Sequence, residues 1–111
     1  MPSSTTKRQL VSRITDKLGL KGVAITQQDT TMVIQSFIDE VMESLANGNN
    51  VVLRNFGVFE VKEMKAKVGR NPKDPGKLVT IPARAAVKFK PGKEMKEKVA
   101  ASLQLIRERE Q

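Results

Sequence analysis

The stretch Arg54–Pro91, RNFGVFEVKEMKAKVGRNPKDPGKLVTIPARAAVKFKP, decides how the rest of the chain is read. Two segments with strand alternation flank GRNPKDPG, residues 69–76, whose Gly, Pro and Asn tolerate turn geometry, so a hairpin with a long tip is expected. Nine basic residues stand between Lys62 and Lys90: Lys62, Lys65, Lys67, Arg70, Lys73, Lys77, Arg84, Lys88 and Lys90. Only Glu63 and Asp74 oppose them, so this stretch carries +7 of the chain's net +8. Successive strand side chains point to opposite faces. One face of the hairpin therefore holds Phe59, Val61, Val87 and Phe89, and the other holds Glu60, Lys62, Lys88 and Lys90, joined by Arg84. The first face suits a core and the second a polyanion. Beyond Met64 the alternation lapses, and Ala66, Lys67 and Val68 have no face to bury. Such a segment reads as an arm reaching outward, or, more blandly, as a solvated basic loop.

Composition narrows the classes. At 111 residues the chain is read as a single domain, small for burying a core alone, with four Phe and no Trp or Tyr. A modest core and an unburied arm together call for a second chain to complete the fold. With no Cys there is no disulfide framework, and with no His there is no Cys/His zinc site. No cofactor or metal is expected. The longest uninterrupted apolar run is three residues, too short for a signal h-region or a membrane span, so a cytoplasmic protein is expected. An isoelectric point near 10.1 points to an acidic partner such as nucleic acid.

Outward from the hairpin, residues 1–5 read as a tail. Thr6 with Gln9 fits a capping box, and Leu10, Val11, Ile14 and Leu18 follow helical spacing to a stop expected at Gly19. Thr26 is a second candidate N-cap, with Asp29 in the first turn. The helix after it places Val33, Ile34, Phe37, Ile38, Val41, Met42 and Leu45 on one wide face and ends at Asn47-Gly48. That face is more than one short helical neighbour can cover. Val51–Leu53 is a first strand and Phe56-Gly57 a tight bend. After Pro91-Gly92, a C-terminal helix over 92–111 carries Met95, Val99, Leu103 and Ile106, and its mixed-charge end, 107–110, reads as solvated. No repeat or low-complexity tract interrupts the chain.

Several motifs in order carry a family resemblance: FGVF at 56–59, GRNP at 69–72, GK at 76–77 and KFKPGK at 88–93. Over residues 6–100 the chain resembles HU and integration host factor, the bacterial histone-like DNA-bending dimers. The resemblance implies an α+β fold of two N-terminal helices, a three-stranded antiparallel sheet with an extended β-ribbon arm, and a C-terminal helix, in an intertwined dimer. It implies a helical dimerisation region at 6–48, a sheet and DNA-binding arm at 50–91, and a helix with an extension at 92–111. The partners it implies are double-stranded DNA and an identical or paralogous subunit, in the bacterial nucleoid.

The same resemblance supplies roles. Lysines and arginines of the arm neutralise phosphates, and counterion release gives affinity without reading sequence. Arg70 and Asn71 meet minor-groove acceptors, while Pro72 wedges between base pairs and kinks the duplex. Without the resemblance, Pro72 would be read as a turn stiffener. The DNA-contacting set is Arg54, Lys62, Lys65, Lys67, Arg70, Asn71, Pro72, Lys73, Lys77, Arg84, Lys88, Lys90 and Lys93, with Lys7 and Lys96 as further holds on flanking DNA. Phe56, Phe59 and Phe89 build an aromatic cluster beneath the arms. The chain departs from the family pattern at several points. Its tip is one residue longer, with Asp74 and Pro75; Met64 stands where arginine is common, and Asn55 where glycine is frequent. Arg54 resembles one integration host factor subunit more than HU.

Catalysis is the weaker alternative, since without His or Cys a nucleophile needs a Ser–Lys pair or paired carboxylates, and the acids are scattered. A general polyanion- or RNA-binding module, or a protein scaffold, is the other reading of the basic ribbon. A small-molecule substrate is not expected.

Overall fold

Thr6 opens the first helix, α1 (Lys7–Leu20), with the expected capping box: its N–H donates to Gln9 Oε1 at 2.9 Å, and the Gln9 N–H donates to Thr6 Oγ1 at 3.3 Å. The computed structural model describes residues 4–109, with Pro75 by its backbone alone, so residues 1–3 of the expected tail and residues 110–111 of the expected C-terminal helix lie outside it. Helix α1 runs past Gly19, where the sequence pattern placed its end. The left-handed residue is Gly22 at φ +84°, and the Val23 N–H closes back on the Leu18 carbonyl at 2.8 Å. A glycine ends a helix only where the chain must leave it with positive φ, and Gly19 remains helical. Helix α2 (Gln27–Ala46) follows the pattern at both ends. Thr26 Oγ1 accepts the Asp29 N–H at 3.0 Å, and Gly48 carries φ +81°.

The described residues fall into two compact units, 4–43 with 98–109, and 44–97. In the first, Val11 of α1 and Thr30 of α2 are buried at 5% and 2% exposure. The Thr15 hydroxyl lies 2.9 Å from that of Thr30, and Thr30 donates to the Thr26 carbonyl at 3.0 Å, so among the described residues no buried hydroxyl is left unsatisfied. Lys7 Nζ donates to Gln35 Oε1, and Gln35 Nε2 passes the chain on to Asp39 at 2.8 Å. The wide apolar face of α2 is only partly covered within one chain: Val33, Phe37 and Met42 are more than half exposed.

The second unit holds a three-stranded antiparallel sheet in the order β1 (Val51–Leu53), β2 (Gly57–Met64), β5 (Arg84–Pro91), and a separate two-stranded ribbon of β3 (Lys67–Asn71) and β4 (Asp74–Ile81). The alternation read from sequence sets the register: Phe59 faces Phe89, Val61 faces Val87 and Glu60 faces Lys88. Asn50 prolongs the short first strand, its Oδ1 accepting the Val61 N–H at 3.0 Å. Pairing lapses at 65–66 and 82–83, where Pro82 has no N–H to give. It resumes in the same register with Lys67 opposite Ile81 and holds to Arg70 opposite Leu78.

The expected single C-terminal helix is two, α3 (Lys93–Ala100) and α4 (Leu103–Arg109). At the break both the N–H and the hydroxyl of Ser102 donate to the Val99 carbonyl, at 2.9 and 2.6 Å. That local alternative to the helical ladder is one serine side chains offer. Among the described residues no helix is long and apolar enough to cross a membrane.

Candidate nucleic-acid interface

All thirteen residues of the sequence-derived DNA-contacting set lie in the second unit, and each cation among them is exposed. They form a track. Arg54 sits in the β1–β2 turn, which is held against the start of α3 by the Gly92 N–H donating to the Phe56 carbonyl at 2.9 Å. Lys93 opens α3, so Arg54 and Lys93 share the end of the sheet away from the arm. Lys62, Arg84, Lys88 and Lys90 share one face along β2 and β5. Lys65 lies at the junction with the ribbon, and Lys67 begins β3. Because the register is the same on both sides of the gap, Arg70 keeps the parity of Lys62 and Lys88. A shallow cleft of about 350 Å³ lined by Val61, Lys62, Glu63, Ala83, Arg84 and Ala85 marks where the body sheet gives way to the ribbon, with Lys62 and Arg84 on its two sides.

The opposite face of the sheet is anchored by aromatic packing. The Phe89 ring lies 4.8 Å from that of Phe59 and 5.6 Å from that of Phe56, both tilted, an arrangement aromatic quadrupoles favour. The bend that brings Phe56 there depends on Asn55, whose φ of +68° suits Gly or Asn at that point of a turn. The residue is thus a working substitute for glycine.

The tip is tighter than the eight-residue loop expected from GRNPKDPG. Gly69 and Arg70 belong to the regular ladder, Asn71 pairs with Asp74, and the turn is Pro72-Lys73 alone. Its chemistry follows from type: Asn first and proline second favour a type I turn, and Asn71 Oδ1 accepts the Lys73 N–H at 2.9 Å. Pro72 takes the second position of that turn, and its exposed ring sits at the extremity of the ribbon. The extra length of this tip is taken up on the returning strand. Pairing jumps from Arg70–Leu78 to Asn71–Asp74, leaving residues 75–77 as a bulge that carries Lys77.

Glu60 is the functional neighbour that residue counting missed. Its carboxylate lies 3.1 Å from Lys90 Nζ and 3.2 Å from Lys62 Nζ. Hydrogen bonding to Lys90, then to Lys62, holds it below the usual glutamate range. Two of the proposed phosphate contacts are thus already engaged with an anion of the same chain. Part of the signal was present, since alternation puts Glu60 and Lys62 on one face of β2, while Lys90 comes onto the adjacent diagonal through the register. Among the described residues no cluster of three acidic, His or Cys side chains could hold a metal ion.

A ribbon of exposed cations with a proline tip, carried on a short three-stranded sheet, is the architecture of a known class. Residues 5–100 match the family described as bacterial DNA-binding protein, and the chain belongs to that family, which includes HU and integration host factor. Its HU members are DNA-binding proteins and not enzymes. The chain is 43% identical over 94 residues to the probable DNA-binding protein HU of Chlamydia trachomatis, covering 85% of this chain and 89% of that one. It is 36% identical over 97 residues to integration host factor subunit alpha of Haemophilus influenzae, covering 87% and 95%. The Anabaena HU–DNA cocrystal structure superposes with a TM-score of 0.76 at 33% identity, covering 86% of this chain and 98% of that one. Helix α4 lies beyond the family match.

Proposed function

We propose that this protein is a non-catalytic architectural DNA-binding protein, working as an intertwined homodimer or a heterodimer with a paralogous subunit. Each subunit lays its β3–β4 arm in the minor groove of duplex DNA. Pro72 enters a base step and kinks it, and the cations of the track hold the phosphates on either side. In this reading the protein acts in the cytoplasm, on the nucleoid. The observation that carries it is the tip: a two-residue turn presents the exposed Pro72 between Asn71 and Lys73, with cations trailing down both strands. Unstacking a base step costs a few kcal/mol, offset by the extra DNA surface a bent duplex brings against the cationic face. The half-exposed face of α2 supports the dimer, because single chains rarely leave such an apolar stripe to water.

Ring closure of short duplexes tests the proposal. The protein is expected to accelerate closure of fragments well below the persistence length of about 150 base pairs. Binding to single-stranded RNA as tightly as to duplex DNA of equal charge, with no acceleration of closure, would replace this reading with that of a general polyanion binder.

A further inference from the structure

The tip also carries a carboxylate that phosphate binding does not explain. Asp74 stands directly opposite Asn71, so the two side chains leave one face of the ribbon with Cβ atoms about 5 Å apart. Asp74 is exposed, its Oδ1 leans over Gly76, 3.6 Å from where a Cβ there would stand, and it forms no ion pair with another described residue. A bare anion at the leading end of a basic arm weakens the attraction to phosphate, so its presence asks for a donor to meet. Asn71 spends its Oδ1 on the Lys73 N–H, which turns its Nδ2 to the far side of the planar amide. The ribbon end therefore offers a donor and an acceptor side by side.

The minor groove supplies the matching pattern in one kind of base pair. A·T and T·A present only acceptors there, whereas G·C adds the guanine N2 amino donor. A carboxylate is acceptor-only. We infer that Asp74 is a specificity-determining residue that biases the arms toward G·C pairs beside the kinked step, accepting from the guanine N2 amino group while Asn71 donates to a neighbouring groove acceptor. Charge acts in the same direction, because the narrow groove of A-tracts has an enhanced negative potential that repels a carboxylate. The inference rests on the minor-groove reading of the arms proposed above.

Inosine in place of guanine deletes the N2 amino group and leaves the major-groove edge unchanged. Affinities of the full chain and of Asp74→Ala are measured for one mixed-sequence duplex and for its copy with every guanine replaced by inosine, at one salt concentration. End-to-end energy transfer is recorded alongside. The comparison is between proteins, so any change in stiffness that inosine brings cancels. The ratio of guanine to inosine affinity is expected to be about five-fold or more higher for the native chain than for Asp74→Ala, the low end of what a groove contact contributes. Both proteins are expected to bend the guanine duplex. Equal ratios in the two proteins, with bending intact, overturn the role of Asp74 and leave the architectural reading standing. A native chain that neither binds nor bends either duplex overturns both.

Discussion

Phe89 lies across Gly57 so closely that a Cβ on residue 57 would stand 2.6 Å from two of its ring atoms and 2.7 Å from the Lys90 carbonyl. The carbonyl belongs to the β2–β5 ladder and cannot retreat without breaking pairing. Gly57→Ala is expected to destabilise the fold by about 2 kcal/mol or more, within the range for overpacking. Chemical denaturation reads this as a lowered midpoint, and an unchanged midpoint would mean that the ring moves freely.

Glu60 gives the surface a pH dependence with a defined sign. Its folded-state pKa is depressed by Lys90 and Lys62, so its contribution is present above the ordinary glutamate value and is lost as pH falls through the lower folded value. The stability difference between the native chain and Glu60→Gln should therefore vanish in acid and be steady at neutral pH. Because Lys62 and Lys90 no longer have to leave a carboxylate, Glu60→Gln is also expected to bind duplex DNA more tightly at neutral pH. Weaker binding would assign Glu60 to holding those lysines in place.

Salt reports the phosphate contacts. Affinity for duplex DNA is expected to fall linearly with log[salt], with a slope of about −0.9 per neutralised phosphate. Changing Lys88 and Lys90 together to Ala should flatten that slope by about one to two units without altering any sequence preference. A salt-independent affinity would remove the phosphate mechanism.

Phe37 discriminates monomer from dimer. It is 52% exposed within one chain, so Phe37→Asp should be nearly harmless to a folded monomer. If a second α2 face covers it, the unpaired charge costs several kcal/mol against a total stability of roughly 5–15 kcal/mol, and the protein unfolds. Sedimentation and circular dichroism of the variant distinguish the outcomes. A native chain that stays monomeric and helical at micromolar concentration would end the dimer proposal.

The turn and wedge readings of Pro72 are separable by experiment. The Asn71 side chain still closes the turn in Pro72→Ala, so the arm should keep its form and the cationic track its contacts. DNA binding is then expected to weaken modestly while the bend, read by energy transfer at saturation, shrinks. Pro75→Ala, on the returning strand, should leave the bend intact. Equal loss in both would make loop stiffness, and not a wedge, the source of bending.

The legible parts of this fold were those governed by short periods. Strand alternation alone put Phe59, Val61, Val87 and Phe89 on one face. The register then sets Phe59 opposite Phe89 and Val61 opposite Val87, because a slip of one residue would turn the whole apolar set to water. Thr6 and Gln9 announced their helix through side chains that each accept the other residue's backbone N–H. The misread points each turn on a backbone choice that the residue type permits without requiring. Gly19 and Gly22 are equally able to end α1, and only Gly22 takes the left-handed conformation. Ser102 is tolerated within helices, yet here it bonds to Val99 and divides one. In the site, the cations were found by counting. Lys62 lies two residues from Glu60 along the same strand, but the pairing of Glu60 with Lys90 needed the cross-strand diagonal, which emerges only once the register is known.

The surplus residues of the tip are confined between Leu78 and Asp74, while every pair from Gly57–Pro91 up to Arg70–Leu78 keeps one register. Insertions and deletions at the extremity are thus absorbed before they reach the ribbon's shaft, and the aromatic cluster at its root never feels them. The fingertip can be remodelled by natural selection, residue by residue, on a handle that does not change.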